Sequence, residues 1–379
     1  MIRTLIRKLR EKRFLYEPLV KVELDGEQLI KNFRVFDTMR SGVRMAPVLK
    51  SNAYGHGLIL VGKKLDKEQP PFFVVDSYHE AIILKNEGVH SDVLVLGYTF
   101  PQNILNVRRD DVIFGITTID QIEELTKSLK RKKRFHLKID TGMHRQGIME
   151  SDISRAIQLI KENHNIMLEG ICSHLADADI KDSEITKEQI GRWNAIVELM
   201  KKEFPDLKYI HTEATAGTQY GYIIHANVLR VGLGIYGIDS AKRSNLSIAP
   251  VLRMESIIAG VRKIQKGECV GYNATFCADR EMTIAVVPVG YFEGVDRRLS
   301  NKGFFKIKGE YCPIIGRVSM NMTSVDISHV RGVKERDVIE VISSNSGDRN
   351  SVESMAEMCG MISYEILVRI PEKIRRVWK

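Results

Sequence analysis

Cysteine is scarce in this chain: five in 379 residues, at 172, 269, 277, 312 and 359, odd in number and never spaced as CxxC. That pattern argues against a disulfide framework and against a zinc site, and it fits a reducing, cytoplasmic setting. No apolar run is long enough to span a bilayer and no secretory h-region is present, so no integral membrane segment is expected. The GxGxxG turn that normally follows the first strand of an open dinucleotide-binding sheet is missing, as are the GxSxG and P-loop signatures. No cluster has the carboxylate and histidine spacing of a metal site, so no metal is expected. RNA-binding, zinc-finger and aromatic-stacking patterns are absent as well, which leaves a nucleic-acid partner without support.

What remains is an ordinary globular composition, 44% hydrophobic and 28% charged, in a chain long enough for about two domains. The net charge of +9 is local rather than general. It comes from the Lys/Arg-rich opening MIRTLIRKLREKRF and from KSLKRKKR at 127–134. Residues 1–18 are set apart as a basic N-terminal segment, whose Ile2, Leu5, Ile6 and Leu9 have helical spacing. A solvated or subunit-covering helix is the preferred reading, because one short segment binds membrane surfaces only weakly.

From residue 19 to about 240, apolar strand-like runs alternate with amphipathic helical ones. The strand candidates are MAPVLK (45–50), FFVVD (72–76), DVLVLG (92–97), VIFGI (112–116), RFHLKID (134–140), IMLEGICSH (166–174), YIHTEAT (209–215) and VLRVGLGI (228–235). Helical periods fall at 78–88, 119–130, 151–163 and 187–204. Eight strands with helices between them are what a TIM (β/α)8 barrel needs; a doubly wound sheet is the competitor. Beyond residue 241 short β-rich runs take over, with one helix near 351–360, and predict a second, mainly β domain. The early strand LVKVELD (19–25) precedes the barrel and is free to pair into that second domain.

In a barrel, the C-terminal strand ends carry the chemistry. Lys50 ends the first strand inside RMAPVLKSNAYGHG, where a lysine held against an apolar strand can form a Schiff base. On position alone, a lysine snorkelling into solvent remains the plainer reading. The other strand ends carry Tyr54, Lys138 to Arg145, His174, Thr215 to Thr218 and Arg230 to Leu233. One amine, several hydroxyl and backbone donors, two arginines and a histidine suit an aldehyde cofactor with a phosphate handle better than hydrolysis.

The runs VLKSNAYGHG (48–57), HLKIDTGMHRQG (136–147), SHLADAD (173–179), RVGLGIYG (230–237), VGYNATF (270–276), VPVGYFEG (287–294), GRVSMNM (316–322) and ISYEILVRIPEKIRRVW (362–378) occur in an order that resembles the alanine racemase family. The resemblance covers about Leu19 to Trp378. It implies a pyridoxal-phosphate enzyme of fold type III, a homodimer with active sites shared between subunits, and a small amino-acid substrate. By motif position, Lys50 would bind the cofactor covalently and move the α-proton on one face, and Tyr272 of the other subunit would serve the opposite face. Tyr54, Thr215, Gly232, Leu233 and Tyr364 would hold the phosphate. Arg230 would face the pyridine nitrogen and weaken the electron sink, with His174 linking it to Tyr272. Arg145 and the Met320 amide would bind the substrate carboxylate, Tyr291 would narrow the entrance, and Lys138 matches a lysine carbamylated in many members. From the residues alone, Lys138 reads equally as an ordinary strand lysine and His174 as a satisfied buried histidine.

The implied activity is interconversion of L- and D-alanine for peptidoglycan. A serine or broad-specificity racemase, a non-catalytic pyridoxal-phosphate carrier and a basic-amino-acid decarboxylase are the alternatives. Four departures from the family pattern bear on substrate range and turnover: Asn321 in place of an aspartate, Ala214 in place of an asparagine, Phe276 in place of a hydroxyl-bearing aromatic, and LYEPLVKVELD in place of an RPW-like start.

Overall fold

The computed structural model describes residues 17–219, 222–241 and 246–379. The basic helix expected within residues 1–18 lies almost wholly outside them. Strand β1 (Lys21–Leu24) is followed by eight parallel strands: β2 (Arg44–Pro47), β3 (Phe73–Val75), β4 (Val93–Val95), β5 (Val112–Ile116), β6 (Lys133–Lys138), β7 (Ile166–Cys172), β8 (Tyr209–His211) and β9 (Val228–Val231). Strands β3 to β8 form one continuous parallel ladder, and β2 pairs with β9. A bridge from Val48 to Val74 joins β2 to β3, and Asn227 N and Arg230 N donate to Ile210 O and Glu213 O across β9 and β8. The eight strands thus close into the expected barrel.

These strands are almost wholly buried because both faces are covered, one by the barrel interior and one by helices. The covering helices are α1 (Gly26–Asp37), α2 (Leu58–Leu65), α3 (Tyr78–Asn86), α4 (Pro101–Asn106), α5 (Ile119–Ser128), α6 (Ile153–Glu162) and α7 (Glu184–Glu203). Their starts are written locally. Asp25 caps α1, Thr118 caps α5, and Ser77 with Glu80 makes a capping box at α3. Except at β5, each strand ladder stops short of the apolar run that marks it: Lys50, Asp140, His174, Thr215 and Gly232 to Ile235 have already left their strands. Those residues curl over the barrel mouth instead of continuing the pleat.

After the barrel come β10 (Leu252–Ile257), β11 (Gly260–Ile264), β12 (Met282–Val287), β13 (Phe304–Ile307), β14 (Glu310–Pro313), β15 (Thr323–Asp326), β16 (Val338–Ile342) and β17 (Arg375–Trp378). They form a six-stranded sheet, ordered β14-β13-β16-β10-β1-β17, and a three-stranded sheet, β11-β12-β15. Strand β1 sits between β10 and β17, antiparallel to one and parallel to the other. The sequence points to one helix in this region; among the described residues the structure has two α-helices, α8 (Val352–Cys359) and α9 (Ser363–Val368). Gly360, at φ 63°, ends α8, which splits the helical pattern in two.

The cysteine pattern also needs correction. Cys269 and Cys277 are joined in a disulfide, while Cys172, Cys312 and Cys359 are free and buried. A hairpin neck brings two residues eight apart in sequence into a facing cross-strand pair, a geometry that spacing rules do not encode. Among the described residues no helix is long and apolar enough to cross a membrane.

Candidate active site

Lys50 leaves β2 through a left-handed turn. Ser51, Asn52, Ala53 and Tyr54 all have φ between 52° and 56°, a conformation that costs about 1–2 kcal/mol per residue for L-amino acids. Side chains from elsewhere hold it there. Glu80 on α3 accepts from Ser51 N at 2.6 Å, and the Asn52 side chain accepts from Leu58 N at 2.8 Å. Gly55 closes the turn at φ 80°; a Cβ there would lie 2.1 Å from the Leu367 carbonyl of α9. Arg376 Nε donates to Gly55 O at 2.8 Å. Strain of this kind persists only where the surroundings over-determine it, and here it sets Lys50 at the mouth while turning Tyr54 into the core.

Tyr54 meets β9 where that strand ends. Its hydroxyl lies so close to Gly232 that a Cβ at that position would stand 2.6 Å from the oxygen. Thr215 Oγ1 accepts from Gly234 N at 3.2 Å, and the Tyr54 and Tyr364 rings are 5.7 Å apart. Burial raises the pKa of Tyr54, and that of Tyr364 to about 12, so both phenols stay protonated donors. A glycine turn with free access to its backbone, two phenols and a threonine are a donor set that suits an organic phosphate. The pocket therefore fits a phosphorylated cofactor.

Arg230, 4% exposed on β9, is fixed by four close acceptors. Its Nη1 donates to His211 Nδ1 at 2.6 Å and His211 O at 2.7 Å; its Nη2 donates to Ser173 O at 2.6 Å and Thr212 O at 3.3 Å. Because a guanidinium only donates, His211 Nδ1 must accept, which puts the His211 proton on Nε2. That proton goes to His136 Nδ1, 2.8 Å away. Burial, followed by repulsion from Arg230, drives the His211 pKa well below its ordinary value. His174 Nδ1 lies 3.4 Å from Arg230 Nη2. Burial lowers its pKa too, aided by Arg230, Lys138, Arg145 and Lys50. A neutral imidazole thus sits among four cations, as expected of a site made for an anionic ligand.

Lys138, 7% exposed at the end of β6, has its ammonium disfavoured chiefly by burial. The loop after it is pinned by Asp140, whose Oδ1 accepts from Gly142 N, Met143 N and His144 N at 2.8, 2.9 and 3.1 Å. This pins the backbone just before Arg145, whose side chain is exposed.

Of the four expected residues on the C-terminal region, Tyr364 packs against Tyr54, and the other three have exposed side chains: Tyr272 (67%), Tyr291 (44%) and Met320 (54%). Backbone bonds tie Tyr291 N to Ser319 O and Phe292 N to Met320 O. Asn301 donates to Thr275 and accepts from Gly316 N, so the Tyr272 hairpin and the segment leading to Met320 form one apron. Two of the departures have structural partners. Asn321 Nδ2 donates to Glu293 Oε1 at 2.9 Å, where an aspartate would face a second carboxylate. Phe276 packs on a small apolar cluster of Val270, Ala278, Met282, Ile284 and Ile315, which has no need of a hydroxyl. Nothing in the structure explains Ala214.

The family profile for the alanine racemase N-terminal domain matches residues 24–240, and that for its C-terminal domain matches 251–378. The chain belongs to the alanine racemase family. It is 32% identical over 365 residues to alanine racemase 1 of Caldanaerobacter subterraneus, covering 94% of each chain. It is 30% identical to the alanine racemase of Carboxydothermus hydrogenoformans, covering 95% of this chain and 99% of the relative. Among solved structures, the alanine racemase of Bacillus anthracis with bound L-Ala-P superposes at a TM-score of 0.88, with 26% identity and coverage of 97% and 96%. Family membership makes this an isomerase of the pyridoxal-phosphate-dependent class.

Several residues that build the site escaped the sequence reading. His136, within β6, and His211, the last residue of β8, look like core histidines; only the tertiary chain from Arg230 through His211 to His136 reveals them. Glu80 and Asp140 act on backbone amides, and a lone carboxylate near a helix start or loop gives no sign of which amide it will meet.

Proposed function

We propose that the chain is a homodimeric alanine racemase that interconverts L- and D-alanine with Lys50 and Tyr272 as its two proton carriers. The observation that carries this reading is the division of the site. Lys50, Tyr54, Lys138, His174, Thr215, Arg230, Gly232, Leu233 and Tyr364 line one barrel mouth, whereas Tyr272, Tyr291 and Met320 stand exposed on an apron of the C-terminal region. A second copy would supply that apron to the mouth and complete the site.

Tyr54, Thr215, Tyr364 and the amides of Gly232 and Leu233 would hold the phosphate, and Lys50 Nζ would hold the aldehyde carbon. When bound, pyridoxal phosphate supplies the electron sink that makes the substrate α-proton removable. Arg230 keeps a permanent positive charge at the pocket floor, so no proton is offered to a ring nitrogen there and carbanion side reactions are suppressed. Lys50 Nζ takes or returns the α-proton on one face, and the partner's Tyr272 does so on the other. His174, neutral and donating from Nε2, orients that phenol. Arg145 and the Met320 amide orient the substrate carboxylate, and a carbamylated Lys138 would orient Arg145. Tyr291 and Tyr364 would narrow the entrance and the pocket edge, which favours alanine over serine.

The chain would work in the cytoplasm and supply D-alanine for peptidoglycan, in keeping with its bacterial relatives. The barrel would span 19–240 and the second domain 241–379. A racemisation assay across amino acids tests the whole reading. D-Alanine formed fastest from L-alanine is expected; faster turnover of serine would reassign the substrate, and no racemisation of any amino acid would overturn the function.

A further inference from the structure

We propose that Cys269 and Cys277 are positioning residues whose disulfide clamps the neck of the hairpin presenting Tyr272, so that opening the bridge slows the proton transfer made by that phenol. The proposal rests on the role given to Tyr272 above.

The two cysteines face each other across an isolated antiparallel bridge, with Cα atoms 3.9 Å apart. Backbone bonds flank them: Val270 N donates to Phe276 O, Ala278 N to Glu268 O, and Gly267 N to Ala278 O, at 2.8–2.9 Å. Beyond this neck the tip departs from regular structure. Gly271, Asn273 and Ala274 take φ of 76°, 62° and 45°, and residues 271–275 are all exposed. The tip is tied to the rest of the apron by Asn301 Nδ2, through two 3.3 Å bonds to Thr275. The base rests on a cluster of five buried side chains, separate from the main core. Tyr272 therefore stands at the end of a strained, solvated loop with a small apolar footing. A covalent tie at its neck removes open conformations that those contacts would not exclude on their own.

Placement matters here because a proton carrier must come within hydrogen-bond reach of a carbon on another element, and errors near 1 Å cost up to about 10²-fold in rate. Both bridged residues are exposed, whereas the free cysteines Cys172, Cys312 and Cys359 are buried. A dithiol reductant can therefore reach this pair. One thiolate of the reductant attacks one bridge sulfur, breaking the Cys269–Cys277 bond and forming a mixed disulfide. The other cysteine leaves as a thiolate and takes a proton. The second thiol of the reductant then displaces the first cysteine and closes its own disulfide. The bridge gains two electrons and two protons, and the dithiol is oxidised by the same amount. A reducing compartment would hold the pair open and the hairpin loose; oxidising conditions would tighten it.

The test uses the full-length holoenzyme, oxidised and after treatment with a small dithiol, with bridge state read by peptide mass. Racemisation of alanine in both directions and hydrogen exchange of residues 270–276 are measured in each state, alongside the double variant C269S/C277S. Reduction should lower kcat by about three- to tenfold, by the same factor in the two directions because the equilibrium between enantiomers is unity, with KM and the cofactor absorbance unchanged. Exchange at the tip should quicken, and the double variant should behave as the reduced enzyme in either buffer. Equal kcat in the two bridge states would overturn the proposal. So would free thiols at both positions in the oxidised protein, or a loss of activity accompanied by loss of cofactor or global unfolding. If neither state racemises alanine, it is the functional reading that fails, and unchanged exchange at the tip would then reject the clamp by itself.

Discussion

The barrel mouth and the C-terminal apron are built on opposite principles. At the mouth, Arg230 and His211 are buried and joined by a short hydrogen bond, Lys138 is buried as well, and even a left-handed turn is held in place by side chains from α3 and the C-terminal strand. On the apron, Tyr272, Tyr291 and Met320 are exposed and are held through backbone bonds, one asparagine and a disulfide. A group meant to poise charge must be dry and immobile, because low dielectric is what makes its field strong. A group delivered to another subunit has to stay on the surface until that subunit arrives.

The largest effect should follow from emptying the mouth. Lys50→Ala should abolish racemisation, by at least about 10⁴-fold, together with the visible absorbance of the bound cofactor. Retained absorbance with full turnover would dissolve the distinction between the two regions. Next comes the apron: Tyr272→Phe should lower kcat by about 10²- to 10³-fold, more in one direction of α-proton exchange than in the other. Because this side chain is two-thirds exposed, the melting temperature should not move; equal slowing in deuterated solvent, or a large loss of stability, would count against a delivered acid/base. Asp140→Ala removes the carboxylate that organises the loop before Arg145 and should raise KM for alanine about tenfold with a smaller change in kcat. A kcat effect alone would show that the loop does not serve binding.

A smaller effect separates the two regions by pH. Burial pushes His56 down to about 4 and His136 down to about 3, both in the barrel. Their neutral forms are favoured in the folded state, so this contribution is complete above the unfolded value near 6.5 and is lost as pH falls toward those folded values. Each imidazole should remove about 1.4 kcal/mol of stability per pH unit across its window. Denaturant midpoints measured from pH 7 to 4.5 should show the decline, and His56→Gln should flatten it. A flat profile in the wild-type chain would mean these rings are not held neutral.

Much of the barrel was legible because a parallel strand buried on both faces has to be apolar throughout, and eight such runs separated by amphipathic helices leave few other folds. Lys50 and Arg230 could be picked out from their places at strand ends and within a family pattern. The histidine chain behind Arg230 could not, since His136 and His211 are 75 residues apart and meet only once β6 and β8 have taken their places on either side of β7. The disulfide was missed for the same reason: a facing pair is a property of a hairpin register, not of cysteine spacing.

The order of strands, the helix caps and the residue types at the strand ends were set by the chain itself, because each depends on neighbours within a few positions. Which histidine accepts from Arg230, how a left-handed turn at Ser51–Tyr54 is tolerated, and where β1 finds its partners were decided only in three dimensions. Those outcomes depend on side chains tens to hundreds of residues away, whose meeting is fixed by closure of the barrel and of the sheet beside it.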